Sequence, residues 1–251
     1  MSNTTFKDHF SGHAQAYADA RPRYPAELFR WFATLTTNHD LAWDCGTGSG
    51  QAALGLAAHY KHVIATDPSK EQIGNAFPHE RVSYRVTAAE SLGLEPHSVD
   101  LVTVAQAVHW FDRLAFYKQV NQVLKPGGAI AVWCYGLCSI TPEIDAAVQT
   151  FYTGEIGSYW PPERVLIDEG YRTIEFPFEE IAVPAFSMTQ NWNFQQFLAY
   201  LDTWSAVQRF VKQNGRNPMK AFGEILNQIW GCPTEKRQVT WPLHIRAGQL
   251  P

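Results

Sequence analysis

Apolar runs and amphipathic stretches alternate along this chain until about residue 135. Each apolar run is short and is bounded by glycine, proline or polar residues, which is typical of buried strands. The predicted strands cover residues 41–45, 62–66, 82–86, 99–105 and 129–134. Strands that alternate with helices predict βαβ units, and therefore a mostly parallel sheet with helices on its faces.

Two helices carry clear boundary signals. Asp112 precedes a stripe of apolar residues at helical spacing and predicts an N-cap, while the sequence Lys-Pro-Gly-Gly at 125–128 predicts the end of that helix. Asn193 predicts the cap of an amphipathic helix, which we expect to cover the functional site. The apolar face of this second helix consists of Phe194, Phe197, Leu198, Leu201 and Trp204.

Two further strands are predicted in the C-terminal half. Residues 173–181 carry apolar side chains at alternate positions, as in a half-buried strand, and residues 239–245 do the same. Pro242 falls within the second of these and cannot donate a ladder hydrogen bond. We therefore expect a bulge at Pro242, or strand pairing that begins after it.

The most informative stretch follows the first predicted strand. Gly46, Gly48 and Gly50 alternate between the end of that strand and the start of a helix. Glycine allows the positive φ of such a turn and a close approach of backbone to a ligand. Asp67 ends the second predicted strand, about 20 residues beyond the first glycine, where nucleoside-binding sheets carry an acid for the ribose hydroxyls. A nucleoside site is therefore predicted at these strand ends.

The details of the loop favour one nucleoside over another. Gln51 stands where the dinucleotide pattern has its third glycine, which disfavours a pyrophosphate. Asp44, just before the loop, would repel a phosphate and attract an ammonium group. S-adenosylmethionine carries an ammonium, a sulfonium and a ribose, and it fits this loop better than a dinucleotide does.

Composition narrows the function further. The chain has 251 residues, of which 45% are hydrophobic and 18% charged, which fits a single α/β domain. Its net charge is −4 without clusters of lysine or arginine, which disfavours nucleic acid as a partner. No apolar stretch approaches the ~20 residues of a membrane span, and no signal peptide is apparent, so we expect a cytoplasmic protein. The four cysteines are unpatterned, which predicts free thiols and no metal site.

The chain resembles the class I methyltransferases, which depend on S-adenosylmethionine. The resemblance runs through residues 44–50, Asp67, and residues 89–92 and 124–128. It implies an α/β Rossmann-like fold, with a mostly parallel seven-stranded sheet that includes one antiparallel strand. It also implies S-adenosylmethionine as the cofactor.

Two elements outside that core resemble a particular branch of the family. Segments 10–17, 21–25 and 109–112 are similar to the type 11 small-molecule branch that includes trans-aconitate methyltransferase. We therefore expect one domain in four parts. These are an N-terminal helical lid (1–37), a cofactor-binding core (38–135), a substrate-covering helical insertion (136–235) and a final strand (236–251).

The resemblance implies a role for each cofactor residue. The glycine turn would hold the methionine part, with Asp44 near its ammonium and Gln106 at the same end. Asp67 would bind the ribose, Pro68 would pack on the adenine, and Ala89 would offer it a backbone amide. The predicted cofactor residues are Asp44, Gly46, Thr47, Gly48, Gly50, Asp67, Pro68, Ala88, Ala89, Glu90 and Gln106.

One position departs from the family pattern. Many relatives have an aspartate before the adenine-binding alanine, whereas this chain has Ala88. The adenine amino group would then bind a backbone carbonyl, Glu90 or water.

Methyl transfer from a sulfonium is an in-line displacement that needs alignment and a dry pocket. His109 is the candidate general base, because it follows the fourth strand and histidine titrates near neutral pH. The alternative is a core histidine bonded to a backbone carbonyl. An ionised carboxylate acceptor would need no base, and Arg21 or Arg23 could bind it through paired hydrogen bonds. Alternatively, both arginines only hold the lid in place.

Aromatic side chains could wall the acceptor site and offer ring faces to the sulfonium. The candidates for this wall are Tyr17, Trp110, Trp133, Tyr135, Trp160 and Trp204. The predicted substrate-binding residues are His13, Tyr17, Arg21, Arg23, Trp110, Trp133 and Tyr135.

The sequence thus predicts a methyltransferase that acts on a small organic acceptor. O-methylation, in particular of a carboxylate, is favoured over N-methylation. Two alternatives remain open. One is a binding or sensing protein that keeps the cofactor pocket without turnover, and the other is a nicotinamide oxidoreductase with the same sheet, against which the missing third glycine argues.

Overall fold

The computed structural model of the chain describes residues 21–91 and 93–250. Its strands are β1 (Leu41–Cys45), β2 (His62–Asp67), β3 (Val82–Val86), β4 (Val99–Ala105), β5 (Leu124–Cys134), β6 (Glu179–Glu180), β7 (Phe186–Trp192) and β8 (Arg237–Gln249). Its α-helices are α1 (Ala26–Ala33), α2 (Gln51–Ala57), α3 (Lys70–Gly74), α4 (Arg113–Val123), α5 (Pro142–Thr153), α6 (Arg164–Asp168), α7 (Phe194–Asp202), α8 (Ser205–Asn214) and α9 (Met219–Trp230). In the described residues, no helix is long and apolar enough to cross a membrane.

The strands form a sheet in the order β3-β2-β1-β4-β5-β8-β6, and β7 pairs with β8 beside it. Strands β1 to β5 are parallel to one another, and β8 runs antiparallel to β5 and β6. The strand order reverses next to β1, where the crossover connections diverge to opposite sides. This topology confirms the predicted Rossmann-like methyltransferase fold with one antiparallel strand in a seven-stranded sheet.

The central strands of the sheet are buried on both faces, which explains why they read as continuous apolar runs. In β1, Ala42 packs into one hydrophobic cluster with α1 and α2, while the neighbouring Trp43 packs into another cluster with α4. Helices α7, α8 and α9 extend the first cluster. The tips of the parallel strands, where the chain leaves both clusters, are therefore the positions available for a site.

The predicted boundaries of the core strands are confirmed to within one residue, apart from the start of β5. Asp112 caps α4 as predicted, because its Oδ1 accepts a hydrogen bond from the Ala115 amide at 3.2 Å. The sequence at 125–128 does end the helix, but it already belongs to β5 rather than to a loop. Its pairing with β4 includes a register shift between Val99 and Leu101.

Strand β8 changes partners at Pro242, as the sequence predicted. Its first half, Arg237 to Leu243, pairs with β7, and pairing with β5 begins only at His244. Pro242 itself lies opposite Ser187 of β7. The residue of β8 that lacks an amide donor therefore lies before the part of the strand that pairs with β5.

The predicted strand over 173–181 is wrong for most of its length, since only Glu179–Glu180 pair with β8. The apolar side chains of this segment are buried because they pack on α4. The rings of Phe176 and Phe178 lie 6.3 and 5.5 Å from the ring of Tyr117. A tight turn from the Phe178 amide to the Phe176 carbonyl replaces extended pairing there. The alternating burial of side chains in this segment thus arises without the hydrogen-bond ladder of a paired strand.

The predicted cap at Asn193 is confirmed and forms a capping box. The Asn193 side chain accepts from the Gln196 amide, and the Gln196 side chain accepts from the Asn193 amide, both at 3.0 Å. The helix ends at Asp202, so Trp204 begins the next helix instead of completing this one. The bend between α7 and α8 brings both helices over the tips of the core strands.

We expect Asn193→Ala to lower the free energy of unfolding by about 1 kcal/mol, because it removes the oxygen that satisfies the Gln196 amide. Asn193→Asp keeps an acceptor at that position and should remain close to the wild type. Urea unfolding of the three proteins measures the difference. Equal midpoints for the alanine and aspartate variants would contradict a stabilising role for the cap.

Candidate active site

A cleft of about 710 Å³ lies at the carboxyl ends of the parallel strands. One wall is made by residues 46–49, 67–69, 88–90 and 105–107, which follow or end strands β1 to β4. The opposite wall comes from the segments around Trp160 and Tyr200. A crevice outside the strand ends at the reversal of strand order is where open α/β sheets bind ligands.

The glycine loop has different constraints at different positions. At Gly48, φ is 55°, and the nearest heavy atom to an added Cβ would be Gln72 Oε1 at 3.9 Å, so this glycine faces open space in the cleft. At Gly50, φ is 89°, and a Cβ would lie 2.2 Å from the Tyr84 hydroxyl. Gly46 and Thr47 line the cleft, whereas Gly50 does not. Gly50 therefore serves the packing of the loop, and Gly48 leaves room for a ligand.

Asp44 lies beneath the loop and does not line the cleft. Its carboxylate accepts hydrogen bonds from the hydroxyls of Thr47 at 2.5 Å and Thr103 at 2.8 Å. Complete burial raises the pKa of Asp44 to about 6, although these hydrogen bonds oppose the shift. At neutral pH the group is thus an anion that anchors the loop from below.

Asp67 joins the end of β2 to the glycine loop. Its Oδ2 accepts from the Gly48 amide and its Oδ1 from the Ser69 amide, each at 2.9 Å. The carboxylate also lines the cleft. The glycine loop and Asp67, which lie about 20 residues apart in the sequence, are therefore in direct contact.

The residues predicted to bind adenine share the cleft with the glycine loop. Pro68, Ala88, Ala89 and Glu90 all line it. Glu90 also has a structural bond, since its Oε1 accepts from the amide of Asp112 at 3.1 Å. That bond positions Glu90 against the start of α4.

Gln106 has an unusual conformation at the tip of β4. Its φ is 54°, a left-handed value that is uncommon outside glycine and often marks functional sites. The side-chain Nε2 donates to the Tyr135 carbonyl at 2.9 Å. Its Oε1 is buried and accepts no hydrogen bond from any described residue. Since a buried acceptor without a donor is unfavourable, this oxygen fits a ligand that brings a donor.

His109 lines the cleft from a 3₁₀ turn, Val108–Trp110. Its Nδ1 lies 2.7 Å from the hydroxyl of Tyr171, so its partner is a side chain and not the backbone carbonyl of the alternative interpretation. Burial, together with the nearby positive charges of Arg164 and Arg113, lowers the pKa of His109 to about 3. The imidazole is neutral at physiological pH, and a group with so low a pKa is a weak general base.

Three of the predicted substrate-binding residues line the cleft, namely Arg21, Trp110 and Tyr135. Arg21 donates to the Tyr135 hydroxyl at 3.3 Å and lies 5.4 Å from the ring centre of Tyr200. Arg23 is exposed and does not line the cleft. The predicted residues His13 and Tyr17 lie outside the described part of the chain.

Trp133 is a core residue, which disagrees with the prediction that it walls the acceptor site. It is completely buried, with its ring centre 5.1 Å from that of Phe32 and 5.4 Å from that of Tyr24. Side chains of β5 alternate between the faces of the sheet, and the side chain of Trp133 falls on the face that α1 covers. It is not among the residues that line the cleft.

The sequence reasoning did not single out Arg164, which lines the cleft beside Trp160. Its Nε donates to the Tyr152 hydroxyl at 2.6 Å and to Asp168 Oδ1 at 3.1 Å. Its guanidinium carbon lies 4.6 Å from the ring centre of Trp160. The only local signal is the spacing of Arg164 and Asp168, four residues apart on one helix, which is common on helix surfaces.

The comparisons with known proteins agree with this geometry. A family model described as a methyltransferase domain matches residues 43–132. A Dictyostelium discoideum protein that is named as a methyltransferase is 37% identical over 227 residues, which cover 89% of this chain and 86% of that protein. A solved structure from Anaeromyxobacter dehalogenans, described as a type II methyltransferase, is 45% identical with a TM-score of 0.87, and covers 92% of this chain and 99% of that one.

A Saccharomyces cerevisiae protein named as an S-adenosylmethionine-dependent methyltransferase is 30% identical over 129 residues, 47% of this chain and 44% of that protein. The chain belongs to the S-adenosylmethionine-dependent methyltransferases of class I, in the methyltransferase domain family. A nicotinamide oxidoreductase is therefore not retained as an interpretation.

We expect Asp67→Ala to weaken S-adenosylmethionine binding by about 1.5–3 kcal/mol, the range for a hydrogen bond to a charged group. Asp40→Asn, an exposed acid before β1 that pairs with Lys61, is the matched control and should leave the affinity unchanged. Isothermal titration calorimetry measures both. An unaltered dissociation constant for the Asp67 variant would contradict the assignment of Asp67 to the ribose.

The two loop glycines should separate binding from stability. Gly48→Ala should reduce the affinity for S-adenosylmethionine at least about tenfold, because its Cβ would occupy space in the cleft. It should destabilise the fold by only about 1–2 kcal/mol, because its left-handed φ is strained but its Cβ meets no close protein atom. Gly50→Ala adds a clash with Tyr84 and should destabilise the fold more than Gly48→Ala does. Calorimetry and urea unfolding check both effects. If Tyr84→Ala in the Gly50→Ala background restored none of the lost stability, the clash with Tyr84 would not be its cause.

Proposed function

We propose that this methyltransferase acts on a small organic acceptor, that it methylates oxygen, and that a carboxylate is the favoured acceptor group. The observation that carries the proposal is the presence of two arginines, Arg21 and Arg164, in the same cleft as the glycine loop. Their charge complements an anionic acceptor. The similarity of segments 10–17, 21–25 and 109–112 to the type 11 small-molecule branch is in accord with this choice.

The residues of the first wall fit the cofactor. Gly48 opens into the cleft, Asp67 presents a carboxylate there, and Gln106 has an acceptor oxygen that no described residue satisfies. We propose Gly46, Thr47, Gly48, Asp67, Pro68, Ala88, Ala89, Glu90 and Gln106 as the cofactor-binding residues. Asp44 and Gly50 would act by shaping the loop. When bound, the sulfonium of S-adenosylmethionine supplies an electrophilic methyl group.

The opposite wall would bind the acceptor. It combines the two arginines with a set of aromatic rings, and half of these residues lie in 136–235, the part of the single domain that we propose as the covering insertion. The rings that line it are those of Tyr24, Trp110, Tyr135, Trp160, Tyr200 and Trp204. A volume of about 710 Å³ lies within the range of pockets that enclose small ligands. Such a wall excludes water and orients an acceptor.

A carboxylate acceptor also agrees with the neutral state of His109, the candidate base in the cleft. Carboxylic acids are ionised at neutral pH, so their oxygens are nucleophilic without removal of a proton. His109 is neutral with a strongly lowered pKa, which suits binding more than proton abstraction. The side chains of this cleft would then act by alignment and by exclusion of water.

A screen of acceptors tests the proposal. The purified protein is incubated with S-adenosylmethionine and a panel of small carboxylic acids, alcohols, phenols and amines. Mass spectrometry then detects products that have gained one methyl group. We expect methyl esters of one or more acids. Methylation of amines alone would contradict the proposal, and so would cofactor binding without turnover across the panel, the result expected of a sensing protein.

Arg164→Gln should raise the KM for a carboxylate acceptor at least about tenfold, because it removes a charged donor that binds the anion. The affinity for S-adenosylmethionine should change little. Arg172→Gln is the matched control, since Arg172 is exposed and does not line this cleft. Steady-state kinetics with an acid found in the screen measures the effect. Equal KM values for both variants would remove Arg164 from the acceptor site.

A further inference from the structure

His109 lies between the cleft and the buried hydroxyl of Tyr171. Its Nδ1 is 2.7 Å from that hydroxyl, and both side chains are buried. Tyr171 and the preceding Gly170 both have left-handed backbone, with φ of 59° and 61°. A left-handed tyrosine is strained, so the surrounding structure must hold this phenol in place.

The hydrogen of this bond can be assigned by accounting for every donor and acceptor. The Tyr171 hydroxyl has no second hydrogen-bond partner among residues 21–91 and 93–250. If His109 donated from Nδ1, the phenol hydrogen would be buried without an acceptor, which is unfavourable. The phenol therefore donates and Nδ1 accepts.

The other ring nitrogen must then carry the hydrogen of the neutral imidazole. His109 lines the cleft, and its Nε2 has no hydrogen-bond partner among the described residues yet is not a buried unpaired atom, so this nitrogen is accessible to a bound molecule. The charged groups that act on His109 are Arg164 and Arg113, which disfavour an imidazolium. Burial raises the pKa of Tyr171 well above its ordinary value, so the phenol keeps its proton.

We propose that Tyr171 is a positioning residue that fixes His109 as the Nε2–H tautomer, so that His109 donates a hydrogen bond into the cleft and does not remove a proton. This inference rests on the proposed function only in its last step. There, an oxygen of the anionic acceptor would receive the Nε2–H while Arg164 supplies the opposite charge. The acceptor would accordingly carry an anionic group whose oxygens accept hydrogen bonds from His109 and Arg164.

The tautomer can be measured on the protein without acceptor or cofactor. Nitrogen-15 NMR of ring-labelled histidine, with His109→Gln to identify the resonances, distinguishes protonated from unprotonated ring nitrogens. We expect a neutral ring with an unprotonated, hydrogen-bonded Nδ1 and a protonated Nε2. In Tyr171→Phe the Nδ1 resonance should move to the position of a nitrogen without a hydrogen-bond donor. A hydrogen on Nδ1 in the wild type would overturn the proposal, as would an Nδ1 resonance unmoved in Tyr171→Phe.

The second arm uses an acceptor from the screen and compares two variants of His109. Glutamine can accept from Tyr171 with its oxygen and donate into the cleft with its amide, whereas alanine can do neither. We expect His109→Gln to retain kcat/KM within about fivefold and His109→Ala to lose at least about tenfold. A loss of about a hundredfold or more in both would indicate a general base and refute the donor role. A failed screen would refute the carboxylate acceptor while leaving the NMR result intact.

Discussion

The site depends on one interaction, the hydrogen bond from the Gly48 amide to the carboxylate of Asp67. It joins the tips of β1 and β2 and fixes the loop that follows the first strand. Asp44 supports the same loop from below through Thr47, so that two acids hold a short turn between them. Because the backbone at Gly48 faces open space, a cofactor bound there would meet main chain and carboxylate together. The cofactor wall can therefore be built from a few residues with fixed positions.

The acceptor wall has a different origin. Of the residues proposed for it, Arg164, Tyr135, Trp160, Tyr200 and Trp204 come from the segment between β5 and β8, part of which joins the same hydrophobic cluster as α1 and α2, whereas Arg21, Tyr24 and Trp110 come from earlier in the chain. The charged residues that line the cleft are the acids Asp67, Glu90, Asp112 and Glu163 and the arginines Arg21 and Arg164. The cleft thus offers carboxylates that would suit the cationic cofactor and guanidinium groups that would suit an anionic acceptor. The neutral state of His109 follows from burial among these cations.

Local patterns in the sequence predicted the sheet, the caps at Asp112 and Asn193 and the pairing change at Pro242, because each depends on residues close in the chain. Properties that depend on distant contacts could not be predicted. The side chain of Trp133 lies on the covered face of the sheet, and the alternation of Phe176 and Phe178 reflects packing on α4 without strand pairing. The low pKa of His109 arises from its burial and from charges that include Arg164, and its hydrogen-bond partner is Tyr171; both residues lie more than fifty positions away in the chain.

The most direct test of the central claim is an NMR titration of the isotope-labelled protein with S-adenosylmethionine, followed at the backbone amides of Gly48 and Ser69. These two amides donate to Asp67, so a ligand at that carboxylate must change their environment. The account predicts saturable shifts of both resonances. Saturation that moves other resonances while leaving these two unchanged would show that the cofactor binds elsewhere.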